Sequence, residues 1–424
     1  MKNKSRYVVD SSFNKKTSKA LNQFWAGFII YTTCYTLIIS GVVSSKLVYL
    51  QLLGLVILII PTIHLIRFRI ESKYLKTIYI LYCGWLIYII FRGFSFNSKY
   101  LFNTFIDAYD GLFAYFVPLI LLFPPNFINL KKVINVILFL SIFYVVCDIV
   151  FIKTLITSDS ENGQRTVEYF TKILGIPCGF VLLNIIYHSD KRKGWALLGK
   201  LWVLSVIILA FLLATIRARR GLTFMSGSLL LFTYLLYNYA TKINLVFKFL
   251  PLLIVFFLFI YVTSLKGHKR SGPFSFFRER LNEDTRTSVE QYFFLDMDSK
   301  DWIIGKGIDG MYYCPTGATE DGYRQVIETG YLQIILKGGI ISLGLLFLIT
   351  FPAIFKGLFY SKNILSKAAA IWILYWMLAL FPATVSTFTL SYLLVWVSIG
   401  ICYSRVVRNM SDEAVKENFQ YKIF

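Results

Sequence analysis

The sequence predicts an all-α, polytopic integral membrane protein, and three observations carry that prediction. Of its 424 residues, 57% are hydrophobic and only 16% are charged, with a mean hydropathy of +0.63. The apolar residues fall in blocks of about twenty, the length at which a helix crosses a hydrocarbon layer of roughly 30 Å. Within the blocks they run continuously instead of alternating, which selects helices over a closed barrel, since lipid offers the backbone no hydrogen bonds.

About twelve transmembrane helices follow in order, at 24–44, 47–66, 77–92, 111–124, 133–152, 169–188, 199–215, 222–240, 249–264, 330–354, 368–386 and 388–404. The fourth, GLFAYFVPLILLF, is short, and a tight turn around Pro382 separates the last two. Residues 1–23 are polar and basic and read as a cytoplasmic segment without a cleavable signal peptide. The expected organisation is that segment, helices 1–9 in 24–264, a large loop 265–329, helices 10–12 in 330–404, and a tail 405–424.

Lysine and arginine set the orientation. With a cytoplasmic N-terminus, segments 1–23, 67–76, 125–132, 188–200, 241–248, 356–367 and 405–424 carry 25 of the 44 basic residues, against 8 in the short outer loops. That bias puts both termini in the cytoplasm and the large loop outside. The formal net charge of +21 is thereby assigned to membrane flanks, and no nucleic-acid partner is expected. Five cysteines lie in apolar segments and Cys314 is alone in the loop, so no disulfide is expected there. There is no CxxC spacing, and His64, His188 and His268 are far apart, so neither metal nor cofactor is expected.

The inner basic residues are mostly lysine, whereas the others include Arg92, Arg165, Arg217, Arg219, Arg220, Arg270, Arg278, Arg280, Arg286 and Arg324. A guanidinium fork suits bidentate phosphate binding, where lysine acts as a point charge. In TIRARRG, at the outer end of the seventh span, a helical turn would put Arg217 and Arg220 on one face, able to grip a pyrophosphate, with Arg219 elsewhere. In the helix entry DGYRQVIETGYLQIILKGGI, Arg324 and Glu328 are four apart and would share a face. The two read either as a surface ion pair or, with Glu328 partly desolvated at the membrane boundary, as a carboxylate raised toward a useful general base. Lys337, deep in the same helix, is expected to face a polar cavity or snorkel outward, with Gly338 and Gly339 allowing close helix packing. Arg286 opens an amphipathic stretch ending in GKGIDG, whose glycines and Asp309 read as turn formers; Asp296, Asp298 and Asp301 read as a solvated face.

An Arg-rich short outer loop, a long outer loop with an arginine ahead of a GxG turn, and the entry ETGYLQIILKGGI occur here in an order that resembles the O-antigen polymerase and O-antigen ligase superfamily. The resemblance covers roughly residues 200–350. It implies an outer-face site acting on glycans linked to undecaprenyl pyrophosphate, without nucleotide sugar or metal. It also implies that Arg217, Arg219, Arg220 and Arg286 hold the diphosphate. Ligases of that superfamily carry a His-[Asn/Ser/Gln]-x9-Gly pattern at this entry. Here Glu328 stands in the histidine place, then Thr329, nine residues and Gly339, which favours polymerase over ligase. The Arg-x10-Gly pattern of some polymerases is absent.

The expected activity is polymerisation of surface polysaccharide repeat units at the cytoplasmic (inner) membrane, on its periplasmic or exterior side. Glu328, Arg286 and Arg217 are the expected catalytic residues, and Arg219, Arg220, Arg324 and Lys337 the substrate-binding ones. Expected partners are the undecaprenyl-pyrophosphate-linked glycan and membrane lipid, with a chain-length regulator and a flippase. The alternatives are a ligase that moves finished glycan to a lipid or protein acceptor, and a flippase or secondary transporter. A transporter would show charged residues and broken helices near the membrane midplane.

Overall fold

The structure, a computed structural model, describes residues 15–94, 102, 104–107, 111–124, 127–156, 161–188, 193–241, 286–315, 322–384, 388–419 and 421. The expected ninth span, 249–264, and Arg270, Arg278 and Arg280 lie outside the described residues. Within them the chain is a helical bundle whose elements follow the apolar blocks. The first three helices are α1 (Lys15–Ile39), α2 (Val48–Leu65) and α3 (Lys73–Gly93). The short apolar block at 111–124 is a 3-10 helix, Leu112–Leu122, with Pro118 inside it. Then come α4 (Phe127–Val150), α5 (Ile152–Ile156) and α6 (Glu161–Tyr169). A π-helical turn, Phe170–Gly175, leads to α7 (Cys178–Leu183), and α8 (Lys193–Ile216) and α9 (Arg220–Thr241) follow. Five of these and later helices are long and apolar enough to cross a membrane: Ser45–Leu65, Lys73–Gly93, Asn129–Val150, Leu197–Ile216 and Gly330–Phe359. Large apolar side chains such as Leu53, Ile60, Ile63, Phe91 and Ile149 point outward from them, an arrangement suited to lipid and costly in water.

The block expected as one span at 169–188 is interrupted. Pro177 has no N–H to give to the carbonyl one turn earlier, and the ladder adjusts by a wider turn in which Ile176 N–H donates to Thr171 O at 2.9 Å. Lys172 sits in this turn and is only 6% exposed.

The polar region after the undescribed stretch folds into α10 (Thr287–Asp296), α11 (Ser299–Ile304) and a two-residue antiparallel ribbon, β1 (Tyr312–Tyr313) with β2 (Tyr323–Arg324). Asp298 caps α11 by accepting from Asp301 N–H at 2.7 Å. Phe293, Met297, Tyr312 and Cys314 form a small separate core with Ile327, Ile335 and Leu336. The chain then continues as α12 (Gly330–Phe359), α13 (Ile364–Ala379), α14 (Leu390–Tyr403), α15 (Arg405–Asn409) and α16 (Asp412–Phe419). Trp372 of α13 is fully buried, its ring edge-on to Phe180 of α7.

Helix α12 is broken at Gly339, whose φ of 68° and ψ of −176° are outside the helical region. Lys337 and Gly338 therefore cannot keep all their ladder partners, and the GKGIDG turn supplies replacements. Lys306 N–H donates to Leu336 O at 2.7 Å and Gly307 N–H to Lys337 O at 3.0 Å. The Trp85 indole donates to Gly338 O at 2.9 Å. The glycines of this turn are thus more than loop punctuation. A Cβ on Gly305 (φ 70°) would lie 2.5 Å from Gly338 N, and one on Gly339 would lie 2.1 Å from Ile303 O.

Two helix-12 glycines should therefore behave oppositely. Gly339→Ala combines a disfavoured positive φ with a backbone clash and should cost more than about 2 kcal/mol. Gly344→Ala meets nothing within 4 Å and should be neutral or stabilise by up to about 1 kcal/mol. Thermal unfolding of the two purified variants in one detergent checks this; equal melting temperatures would contradict it.

Candidate functional site

The turn after α13, residues 380–384, is where two of the predicted residues, Arg286 and Glu328, meet. Arg286, at the N-cap position of α10, donates from Nη2 to Pro382 O at 2.8 Å and from Nη1 to Phe381 O at 3.4 Å. Its Nε lies 3.1 Å from Glu328 Oε2. The entry to α12 is stitched to the same turn. Thr384 donates to Ile327 O at 3.0 Å, and Gly330 N–H donates to Leu380 O at 2.8 Å. Thr329 donates to the carboxylate of Glu290 on α10. Gly221, at the start of α9, approaches so closely that a Cβ there would lie 2.6 Å from Pro382 O. That contact brings the arginine-bearing α8–α9 junction to the site.

The junction differs from expectation. α8 ends at Ile216 and α9 starts at Arg220, with Ala218 in a left-handed conformation (φ 54°) between them. The three arginines are therefore not on one helical turn, and Arg217 and Arg220 do not share a face. Arg217 is 8% exposed and donates to Leu155 O and, at 2.9 Å, to Thr154 O, closing the end of α5. Arg219 pairs with Glu168 of α6 at 3.2 Å. Arg220 is exposed at the head of α9.

The Arg324–Glu328 helix pair does not form either. Arg324 is in β2, opposite Tyr312, because the helix begins only at Gly330. Arg324 approaches the Cys314 sulfur at 4.0 Å, and Glu328 takes Arg286 instead. Nor is Glu328 desolvated, for its side chain is 60% exposed. Lys337 is 6% exposed and donates to Ile308 O at 3.1 Å and Gly310 O at 3.0 Å, fixing the GKGIDG turn from below. It lines a partly open cavity of about 70 Å³ with Tyr82, Tyr115, Gln333, Ser342 and Trp376. The acids expected on a solvated face are tied in. Asp296 pairs with Lys306, Asp301 lies 3.6 Å from Lys306 and 3.8 Å from Arg92, and Asp298 is the α11 cap.

Three residues gain a place that sequence reasoning did not assign: Glu168, Lys172 and Thr384. Lys172 feels the charges of Glu168, Arg219 and Glu328, so it belongs to the same cluster. A legible signal existed, since Glu168 precedes Lys172 by four residues and a lysine inside an apolar block is a functional candidate by default. Among the described residues no group of histidine, cysteine or acidic side chains is arranged to hold a metal ion.

No family model matches this chain, and no curated protein or solved structure does. The cluster contains an exposed, exchangeable ion pair (Arg286–Glu328), a half-buried one (Arg219–Glu168) and a buried ammonium (Lys172). Such a set suits an anionic group arriving at the 380–384 turn.

Two substitutions separate structural from binding cations. Arg217→Ala removes donors from the Leu155 and Thr154 carbonyls and should lower stability by about 1–3 kcal/mol. An unchanged melting temperature would release Arg217 from its structural role. Asp309, in the GKGIDG turn, is held above its ordinary 3.8 by burial, opposed by the Lys337 charge and the Gln325 hydrogen bond. An acid whose folded-state value is raised contributes stability that is fully present below its unfolded value and is lost as pH rises through the folded value. Asp309→Asn, which keeps an acceptor for Gln325, should flatten the fall in melting temperature from about pH 4 upward; identical pH profiles would refute the assignment.

Proposed function

We propose that this protein polymerises lipid-linked polysaccharide repeat units on the outer face of the cytoplasmic membrane. The proposal includes about twelve spans, cytoplasmic termini and an extracytoplasmic 265–329 loop, which fit the charge bias and the five span-length helices. The observation that carries the reading is the Arg286–Glu328 pair beside the 380–384 turn, on the helix entry whose sequence resembles the O-antigen polymerase and ligase superfamily.

The energetics suit an exchange. An exposed ion pair contributes at most about 1 kcal/mol. A charge-assisted bond from a guanidinium to phosphate contributes roughly 1.5–3 kcal/mol. A diphosphate reaching the turn therefore takes Arg286 from Glu328 and leaves the carboxylate ready as a base. The acceptor sugar oxygen then bonds to the anomeric carbon of the donor glycan, and its proton passes to Glu328. The bond from that carbon to the diphosphate breaks, with its electrons going to the departing lipid diphosphate. Arg286, Arg219 and Arg220 stabilise the charge that develops there. The ligase alternative shares this chemistry and differs in the acceptor. Arg217 has a structural place in this scheme.

A second reading is favoured by one observation. Two helices are interrupted, at the π turn and at Gly339, and each carries a buried lysine at the interruption. Broken helices with charge near the midplane are the form of a transporter site, so export of the lipid-linked unit is the rival.

In a strain lacking its own polymerase, Arg286→Ala should reduce long chains about a hundredfold and leave single-unit glycan on the cell surface. Arg286→Lys should retain part of the activity, and Glu328→Gln should resemble Arg286→Ala. Gel ladders of surface glycan, with membrane levels of each variant checked, measure this. Normal ladders from Arg286→Ala would remove the polymerase assignment. Loss of surface glycan altogether, with lipid-linked units retained in the cytoplasmic leaflet, would support the transporter.

A further inference from the structure

Against the 380–384 turn lies a second, smaller cavity of about 20 Å³, lined by Lys172, Met225, Tyr375, Trp376, Thr384 and Ser391. It has room for an oxygen-sized polar group and none for a sugar ring or a prenyl chain. Tyr375 is 2% exposed and Ser391 is 8% exposed. Neither hydroxyl has a hydrogen-bond partner among the described residues. A buried hydroxyl in that state has lost its hydrogen bonds to water and gained none in return. Two of them on one cavity wall, beside a buried ammonium and with no carboxylate on the lining, give a mostly apolar well a few polar groups able to donate.

We propose that this well receives a terminal phosphoryl oxygen of a lipid phosphate, with Lys172, Tyr375 and Ser391 as its donors. The inference rests on the reading above that the substrate carries a lipid-linked diphosphate, and it adds three residues and a depth to that site. Thr384 joins the well to the turn whose Phe381 and Pro382 carbonyls hold Arg286. A phosphate at the turn meets the guanidinium on one side and directs an oxygen into the well on the other. Met225, Trp376 and Leu380 keep the surroundings apolar, where such hydrogen bonds are stronger than in water. The site binds the tetrahedral anion and ignores the sugar.

The test uses the full chain in neutral phosphatidylcholine nanodiscs, titrated with geranylgeranyl diphosphate, geranylgeraniol and inorganic pyrophosphate. Geranylgeranyl diphosphate should bind Lys172→Met about tenfold or more weakly than the unsubstituted protein, with partial recovery in Lys172→Arg. Tyr375→Phe and Ser391→Ala should each weaken it about threefold or more, yet raise the melting temperature of the ligand-free protein, because an unpaired buried hydroxyl has gone. A merely structural role would lower it. Geranylgeraniol should bind all variants alike. Unchanged diphosphate affinity in both folded Lys172→Met and Tyr375→Phe would overturn the well. Inorganic pyrophosphate binding as tightly as the lipid form, with the same loss in Lys172→Met, would overturn the lipid source. If the well fails here while Arg286→Ala still abolishes long chains, the polymerase reading stands without it. Normal ladders from Arg286→Ala alongside weakened Lys172→Met binding would leave the well and remove the polymerase.

Discussion

Backbone hydrogen bonding in an apolar medium constrains this molecule more than any side-chain contact does. A spanning segment can leave the helix only where something else supplies donors and acceptors to the freed peptide groups. At the break in α12, Leu336 O and Lys337 O take the N–H groups of Lys306 and Gly307, and Gly338 O takes the Trp85 indole. At the π turn the wider repeat keeps Thr171 O bonded to Ile176 N–H despite Pro177. Among the described residues two spans are interrupted in this way, and a lysine is buried at each interruption. Lys337 donates to the Ile308 and Gly310 carbonyls of the docked turn, whereas Lys172 lies among the charges of Glu168, Arg219 and Glu328.

That distinction sorts the basic residues. Arg217 closes α5, Arg92 grips Ile304 O and Gly305 O, and Lys306 bridges Asp296 and Asp301. These cations hold the fold, and a ligand would have to break several bonds to recruit them. Arg286 also holds two carbonyls, of Phe381 and Pro382, but its bond to Glu328 is 36% and 60% exposed at its two ends, so that one bond is readily exchanged. Charge density alone marked all of them alike; exposure and partner chemistry separate them.

How much of this was legible follows from the range of each interaction. The helices follow the apolar blocks because burial and backbone satisfaction are decided locally, within a window of about twenty residues. The turn at Pro382 was visible for the same reason. The partner of Glu328 was not, because Arg286 is 42 residues away and meets it only through the packing of α10 on the α12 entry. The expected i,i+4 pairing with Arg324 fails because Arg324 lies in the two-residue strand Tyr323–Arg324, ahead of the helix start. In the sequence Gly338 and Gly339 are indistinguishable from small packing residues. The positive φ that Gly339 adopts depends on the arrival of a second glycine-rich segment, which no local pattern announces.

The docking of Lys306 and Gly307 onto open carbonyls of α12 has a consequence for engineering and for descent. Extramembrane segments are ordinarily the parts that can be swapped, lengthened or replaced while a scaffold is kept. Here the polar stretch completes the scaffold, so a graft that carries GKGIDG without its KGG counterpart strands amide and carbonyl groups on both sides of the seam. The two pieces should accordingly be transplanted, or drift, only as a matched pair.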